Sequence, residues 1–373
     1  MRQNFPCVIF ALHRLRFPLD VMRLLGLIGA ALGAMAVAGC ASAPPNSPTA
    51  MPSAAPSVPT GPASAPTPAI KIGIALGGGA AKGFAHIGVI NVLEANGFAP
   101  AVVAGTSAGS VVGALYASGM SARQLQEKAV ALDETRIRDL QLSSGGLLLG
   151  QRLEDYVNEQ VGRQTLERLA KPFVAVATRL EDGKRTVFAQ GNTGQAVRAS
   201  SSVPGVFQPV VIGKYHFVDG GVVSPVPVDA ARQLGADLVV AVDISSKARG
   251  QTPGSMVGTV SQAIAIMGQR VGEAELARAD VIVRPAVLDI AGTDFTQRAY
   301  AIAEGEKATA AALPQIRERV AQIQSAREQA ARIARQNAAQ AQYQACLDQR
   351  SRLQKISEKV TGLAGLDGAC AAP

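Results

Sequence analysis

The sequence predicts an α/β protein: a mostly parallel sheet with helices on both faces. Three observations lead there. From residue 70 onward, short apolar runs alternate with helix-periodic stretches, glycine-rich turns mark two successive strand-to-helix junctions, and there is enough apolar material for a large core. Hydrophobic residues make up 48% of the 373, which excludes a chain disordered throughout. That length suits one large domain with appendages, or two domains. Aromatics at 4% with no Trp argue against a base-stacking platform for single-stranded nucleic acid.

The elements follow in chain order. Arg14, Arg16 and Arg23 precede an apolar stretch from Leu24 to Ala38, whose 15 residues fall short of a spanning helix. It ends in Val37-Ala38-Gly39-Cys40, which resembles the lipobox of bacterial lipoproteins, cut before a cysteine that is then acylated. Residues 1–39 are therefore expected to be a removable signal, with Met22 a second possible start. Residues 40–69 follow as an acylated Cys40 and a tether, and 41–69 hold nine of the 21 prolines. Such a stretch extends at about 3.1 Å per residue and could reach roughly 90 Å from its anchor.

Strands are expected at Ile70–Leu76, Pro100–Ala104, Phe173–Thr178, Thr186–Ala189, Val210–Ile212, Tyr215–Val218, Leu238–Asp243 and Val281–Arg284. Helices are expected at Gly83–Ala95, Ala108–Ala117, around Val226–Leu234 and over Gly254–Ala279. No internal repeat is visible. The C-terminal region, 314–373, reads as basic and helical: Pro314 could open a new helix, with Ile316, Val320, Ile323 and Ile333 near helical spacing. A helix covering the sheet edge is favoured over a helical hairpin or a protein-binding tail.

The formal charge is +8, but residues 1–39 carry four Arg and one Asp, and residues 314–359 carry nine basic and four acidic side chains. The rest of the chain sums to zero, unlike a nucleic-acid-binding domain.

Gly77-Gly78-Gly79-Ala80-Ala81-Lys82-Gly83 follows the first strand. Glycines at a strand-to-helix turn leave N–H groups open beside the positive helix end, which suits a phosphate or an oxyanion. A dinucleotide fingerprint fails because Glu94 falls at a helix end rather than after a second strand, and a P-loop fails because Gly follows Lys82. Gly105-Thr106-Ser107-Ala108-Gly109 then has the strand–turn–helix context of a nucleophile elbow. Parallel strands carry both turns to the same sheet edge.

A serine nucleophile needs a base, and of 3 His the signal removes His13. His86 reads as a loop brace. His216 and Asp219, three apart in a strand, point to opposite faces. Asp219, followed by Gly220 and Gly221, is the better candidate, with a triad through His216 as the alternative.

Together with Ala199-Ser200-Ser201-Ser202-Val203-Pro204-Gly205-Val206-Phe207, these motifs resemble the patatin-like phospholipase family over roughly residues 72–234 of an expected 70–313 domain. The resemblance implies a three-layer α/β/α fold and acyl transfer to water without metal or cofactor. It implies Ser107 as nucleophile and Asp219 as its base. It also implies an oxyanion hole from the N–H groups of Gly78, Gly79 and Ala80, supported by Gly77, Lys82, Gly83, Gly105, Gly109, Gly220 and Gly221. Ala80 departs from the family's third glycine, and an alanine there is expected to need negative φ.

Membrane lipids are thus the expected partners, as anchor and as substrate, with the enzyme facing the periplasm from the outer membrane. Cys346 and Cys370 are expected to form a disulfide there. A catalytically silent lipid-binding or scaffold lipoprotein is the reading left open outside the enzyme class.

Overall fold

The computed structural model describes residues 69–133, 140–143, 146–247, 256–360 and 370. Cys40, the signal and the tether up to residue 68 lie outside the described residues. The first two units alternate strand and helix: β1 (Ile72–Leu76), α1 (Ala85–Ala95), β2 (Val102–Thr106) and α2 (Ala108–Ala117). There follow α3 (Ala122–Ala131), β3 (Leu140–Ser143), β4 (Gly146–Leu148), α4 (Gln151–Gln160), β5 (Phe173–Arg179), β6 (Arg185–Phe188) and α5 (Thr193–Ser200). The remainder comprises β7 (Val210–Ile212), β8 (Tyr215–Asp219), α6 (Val228–Gln233), β9 (Leu238–Val242), α7 (Met256–Leu276), β10 (Val281–Val283) and α8 (Arg298–Val360).

The main sheet runs β10-β9-β1-β2-β5-β8-β7, with β6 pairing β5. Pairings from β10 to β5 are parallel, whereas β6, β7 and β8 pair antiparallel, so the sheet is parallel in its central part and mixed at one side. Every residue of β1, β2 and β9 is buried, as expected for strands covered on both faces. Alternate side chains feed two cores. Ile74, Leu76, Val103 and Val240 pack with α1, α2 and α8, while Ala75, Ala104, Val176 and Val239 pack with α6 and the end of α7. This is a three-layer α/β/α arrangement.

Two expectations need correction. The helix expected from Gly83 begins at Ala85, because Ala80–Phe84 form a turn of 3₁₀ helix first. And Pro314 opens no helix: α8 runs unbroken through it for 63 residues. Proline there removes one N–H, but Ile316 is fully buried and Ala312 and Leu313 pack on the core, which holds the helix on course. α8 crosses α1 closely. A Cβ on Gly88 would lie 2.0 Å from the Ile302 carbonyl oxygen, and one on Gly305 would lie 2.0 Å from that of Ala85, so each helix uses a glycine to admit the other's backbone. Beyond Ile323 most of α8 is exposed, and Cys346 on it is bonded to Cys370.

Candidate active site

β2 ends at Thr106, and Ser107 makes the turn into α2 at φ 54°, ψ −125°. A positive φ is costly for a residue with a side chain, and the surroundings hold it in place. The Ser107 N–H donates to Ser200 Oγ at 2.9 Å, and Ser200 Oγ itself donates to the Val176 carbonyl at 2.6 Å. The Ser107 carbonyl accepts from Ser110 Oγ at 2.7 Å. The turn is tight enough that a Cβ on Gly109 would lie 2.1 Å from the Leu76 carbonyl oxygen. Although Ser107 caps α2 by position, its hydroxyl makes no cap bond, so it is left for another partner.

Beside it lies Asp219, the last residue of β8. β8 pairs with β5, with Asp219 opposite Ala177. Its backbone is pinned from both sides: its N–H donates to the Ser202 carbonyl at 2.9 Å and its carbonyl accepts from Thr178 Oγ1 at 2.8 Å. Oδ1 accepts the Gly221 N–H at 2.6 Å, and Oδ2 is buried without a well-formed hydrogen bond. Burial pushes the carboxyl up to about 6, and the neighbouring Ser107 hydroxyl and the Gly221 N–H pull it partway back.

The glycine loop lies against this pair: a Cβ on Gly78 would lie 3.2 Å from Ser107 Cβ. Its donors are not shared out as the sequence suggested. The Gly77 N–H goes to the Val242 carbonyl and the Gly78 N–H to the Pro225 carbonyl, at 3.1 and 3.0 Å. Gly78 is therefore not an open donor. The N–H groups of Gly79 and Ala80 have no acceptor among the described residues, and neither has that of Ala108, the first residue of α2, which the sequence reading passed over. Ala80 also departs from expectation, adopting φ 51°. Gly79 has no room for a side chain, since a Cβ would lie 2.8 Å from the Ile244 carbonyl oxygen.

Residues 74–232 match the model of the patatin-like phospholipase family. Over this segment the chain is similar to that family. It is 35% identical over 186 residues to an uncharacterized NTE family protein of Mycobacterium tuberculosis, covering 48% of this chain and 51% of that one. It is 30% identical over 184 residues to a lysophospholipase, NTE1, of Pyricularia oryzae, covering 47% of this chain and 12% of that one. The chain thus spans about half the length of the mycobacterial relative and far less of the fungal one. Among solved structures, VipD from Legionella pneumophila superimposes with a TM-score of 0.48 at 16% identity, covering 66% of this chain and 67% of that one.

The other residues singled out in this patatin-like domain separate by position. His86 is fully buried beneath the glycine loop, its Nε2 2.8 Å from the Gly77 carbonyl oxygen, and burial pushes it down to about 4. A neutral ring with Nε2–H donating to that carbonyl braces the loop. His216 faces away, its Nδ1 2.8 Å from Glu181 at the exposed side of β8. Lys82 is buried, with Nζ 2.7 Å from Ser246 Oγ, tying the loop to the segment after β9. Ser107 opens on a cavity of about 540 Å³ lined by Phe84, Val111, Leu115, Leu125, Leu153 and Tyr156 among others. No cluster of three or more potential metal-ligating side chains occurs among the described residues.

Proposed function

We propose that this chain is a serine acyl hydrolase that cleaves lipid acyl esters through a Ser107–Asp219 dyad and an acyl-enzyme intermediate. One observation carries the reading: a serine hydroxyl on a strained elbow, at the mouth of an apolar cavity, beside a buried carboxylate with an unsatisfied oxygen. Asp219 accepts the Ser107 proton as Oγ attacks the ester carbonyl, and the Gly79 and Ala80 N–H groups, joined by that of Ala108, face the developing oxyanion. The proton passes to the departing alcohol. Water, deprotonated in turn by Asp219, attacks the acyl carbonyl, the bond to Oγ breaks, and Asp219 returns the proton to Oγ as the fatty acid leaves. The apolar cavity favours an acyl chain over a polar acid, and the patatin-like phospholipase domain and the lysophospholipase relative support a lipid substrate.

The same proposal places the enzyme on an acylated Cys40 at the outer membrane, facing the periplasm, where membrane lipids are both support and substrate. The test has two arms. Purified protein should react with a fluorophosphonate at Ser107 and release fatty acid from lysophospholipid, and Ser107→Ala should do neither. Intact mass and membrane fractionation should show a lipid-modified chain beginning at Cys40. An unreactive Ser107 in folded protein would leave the silent-lipoprotein reading in its place.

A further inference from the structure

Glu275, on the last turn of α7, is 4% exposed and lies outside the 74–232 match, with no part in the chemistry above. Its carboxylate faces the segment that follows Asp219. Oε1 accepts from Ser224 Oγ at 2.5 Å and Oε2 accepts the Val226 N–H at 3.0 Å. Pro225 and Pro227 have no N–H, so Val226 supplies the only backbone donor between residues 225 and 227. The segment's other groups point the opposite way. The Ser224 carbonyl accepts from Thr106 Oγ1 at 2.8 Å, and the Pro225 carbonyl accepts the Gly78 N–H at 3.0 Å. Thr106 directly precedes Ser107, and Gly78 directly precedes Gly79.

The rest of α7 is shaped for the same contact. Gly268, Gly272 and Glu275 share one helix face, and Cβ atoms on the two glycines would lie 3.5 Å from the Gly221 carbonyl oxygen and 3.7 Å from the Pro225 ring. Arg185, 3.7 Å from Oε1, Asp229, which Arg185 and Arg278 pair, and Arg278 itself are charged groups near the carboxylate. A cavity bounded by Arg185, Val223 and Glu275 opens on the far side.

We propose that Glu275 is a positioning residue: by gripping Ser224 and Val226 it fixes the carbonyls that hold the glycine loop and the strand end before Ser107 in register with one another. It touches no reacting atom. Burial pushes the acid up to about 7, and the grip survives protonation, because Oε1–H can donate to Ser224 Oγ while Oε2 still accepts Val226. A glutamine makes the same two bonds, its amide N–H₂ donating to Ser224 and its oxygen accepting Val226. A leucine makes neither and leaves the Ser224 hydroxyl and Val226 N–H stranded in the interior.

The inference rests on the proposed serine chemistry for its effect on rate, but its placement half can be read without activity. In the full-length protein, Glu275→Leu, Glu275→Gln and Ser224→Ala would be compared by hydrogen exchange at the Gly78 amide, by the rate of fluorophosphonate labelling of Ser107, and by kcat and KM on a soluble ester. Glu275→Leu should speed Gly78 exchange about tenfold or more and lower labelling and kcat about 10–100-fold, with KM within about twofold. Glu275→Gln should restore all of these to within about threefold of the parent, and Ser224→Ala should fall between. Unchanged exchange or unchanged labelling in Glu275→Leu overturns the inference, as does a Glu275→Gln variant as impaired as the leucine. Should Glu275→Leu not fold, a Ser224→Ala variant indistinguishable from the parent overturns it. If the parent itself does not label, the serine chemistry has failed, and Gly78 exchange alone then decides whether Glu275 sets the loop.

Discussion

Two buried carboxylates flank the segment that follows β8, and they are treated in opposite ways. Glu275 has a partner for each oxygen and a guanidinium 3.7 Å away. Asp219 has a backbone N–H on one oxygen, while the other lacks a well-formed bond, and no ion pair to it occurs among the described residues. Burial is the largest cause of the raised pKa in both, to about 7 and about 6. A buried acid with both oxygens satisfied serves position. One with an oxygen left short of a partner, next to a serine hydroxyl, is what the proposed proton acceptor requires.

The largest effect should come from the unsatisfied member. Asp219→Asn keeps the shape and the bond from Gly221 but cannot take a proton, so kcat/KM should fall at least about 10³-fold, alongside complete loss in Ser107→Ala. Stability should move the other way. Asp219 has a native pKa above its unfolded value of 3.8, so the native state binds the proton more tightly. The stabilisation from that proton is complete below pH 3.8 and is lost as pH rises through about 6. At pH 8 the ionised group costs up to about 3 kcal/mol, which Asn removes, so thermal melting at pH 8 should show a higher Tm. A lower Tm there would break the comparison.

Next is the loop. Gly79→Ala forces a Cβ against the Ile244 carbonyl and should displace an open donor, costing about 10²-fold in kcat in steady-state assays. The pH profile sharpens the contrast further: kcat/KM should fall about tenfold per unit below pH 6, as Asp219 takes up its proton, with no matching limb in Asp219→Asn. The smallest effect belongs to His216→Gln, expected within about twofold of the parent, since that ring pairs with Glu181 on the outer side of β8. Inactive but folded His216→Gln would return the histidine triad to consideration.

The parts legible in sequence were those whose signal is local. The runs of β1, β2 and β9 are apolar but for the closing Thr106, because both faces are covered, and α2 and β7 fell where their residues placed them. α3, α4 and α5 were passed over. α4, Gln-Arg-Leu-Glu-Asp-Tyr-Val-Asn-Glu-Gln, buries only Leu153, Val157 and Asn158, too sparse a stripe to stand out. α3 carried a usable signal, the Ser121–Gln124 capping box. In the site, Ser107, Asp219 and the loop could be named, but not how the loop's donors are spent. The acceptor for Gly78 is Pro225, 147 residues away, and nothing near either residue announces the other. Glu275 is invisible for the same reason, as one of two acids near the end of α7.

The paired glycines where α8 crosses α1 bear on how the protein folds. Gly88 lies within the 74–232 match and Gly305 well beyond it, yet each is shaped to receive the other helix. β9 also lies beyond that match and pairs directly with β1, through Ile72–Leu76 against Leu238–Val242. The homologous segment is therefore smaller than the cooperative unit. A chain ended at residue 232 would lose a central strand and bare the α1 face that Ala301, Ile302 and Ile316 cover. The smallest autonomous folding unit should extend from β1 to about Ile323, melting in one transition, with the exposed remainder of α8 contributing little to its midpoint.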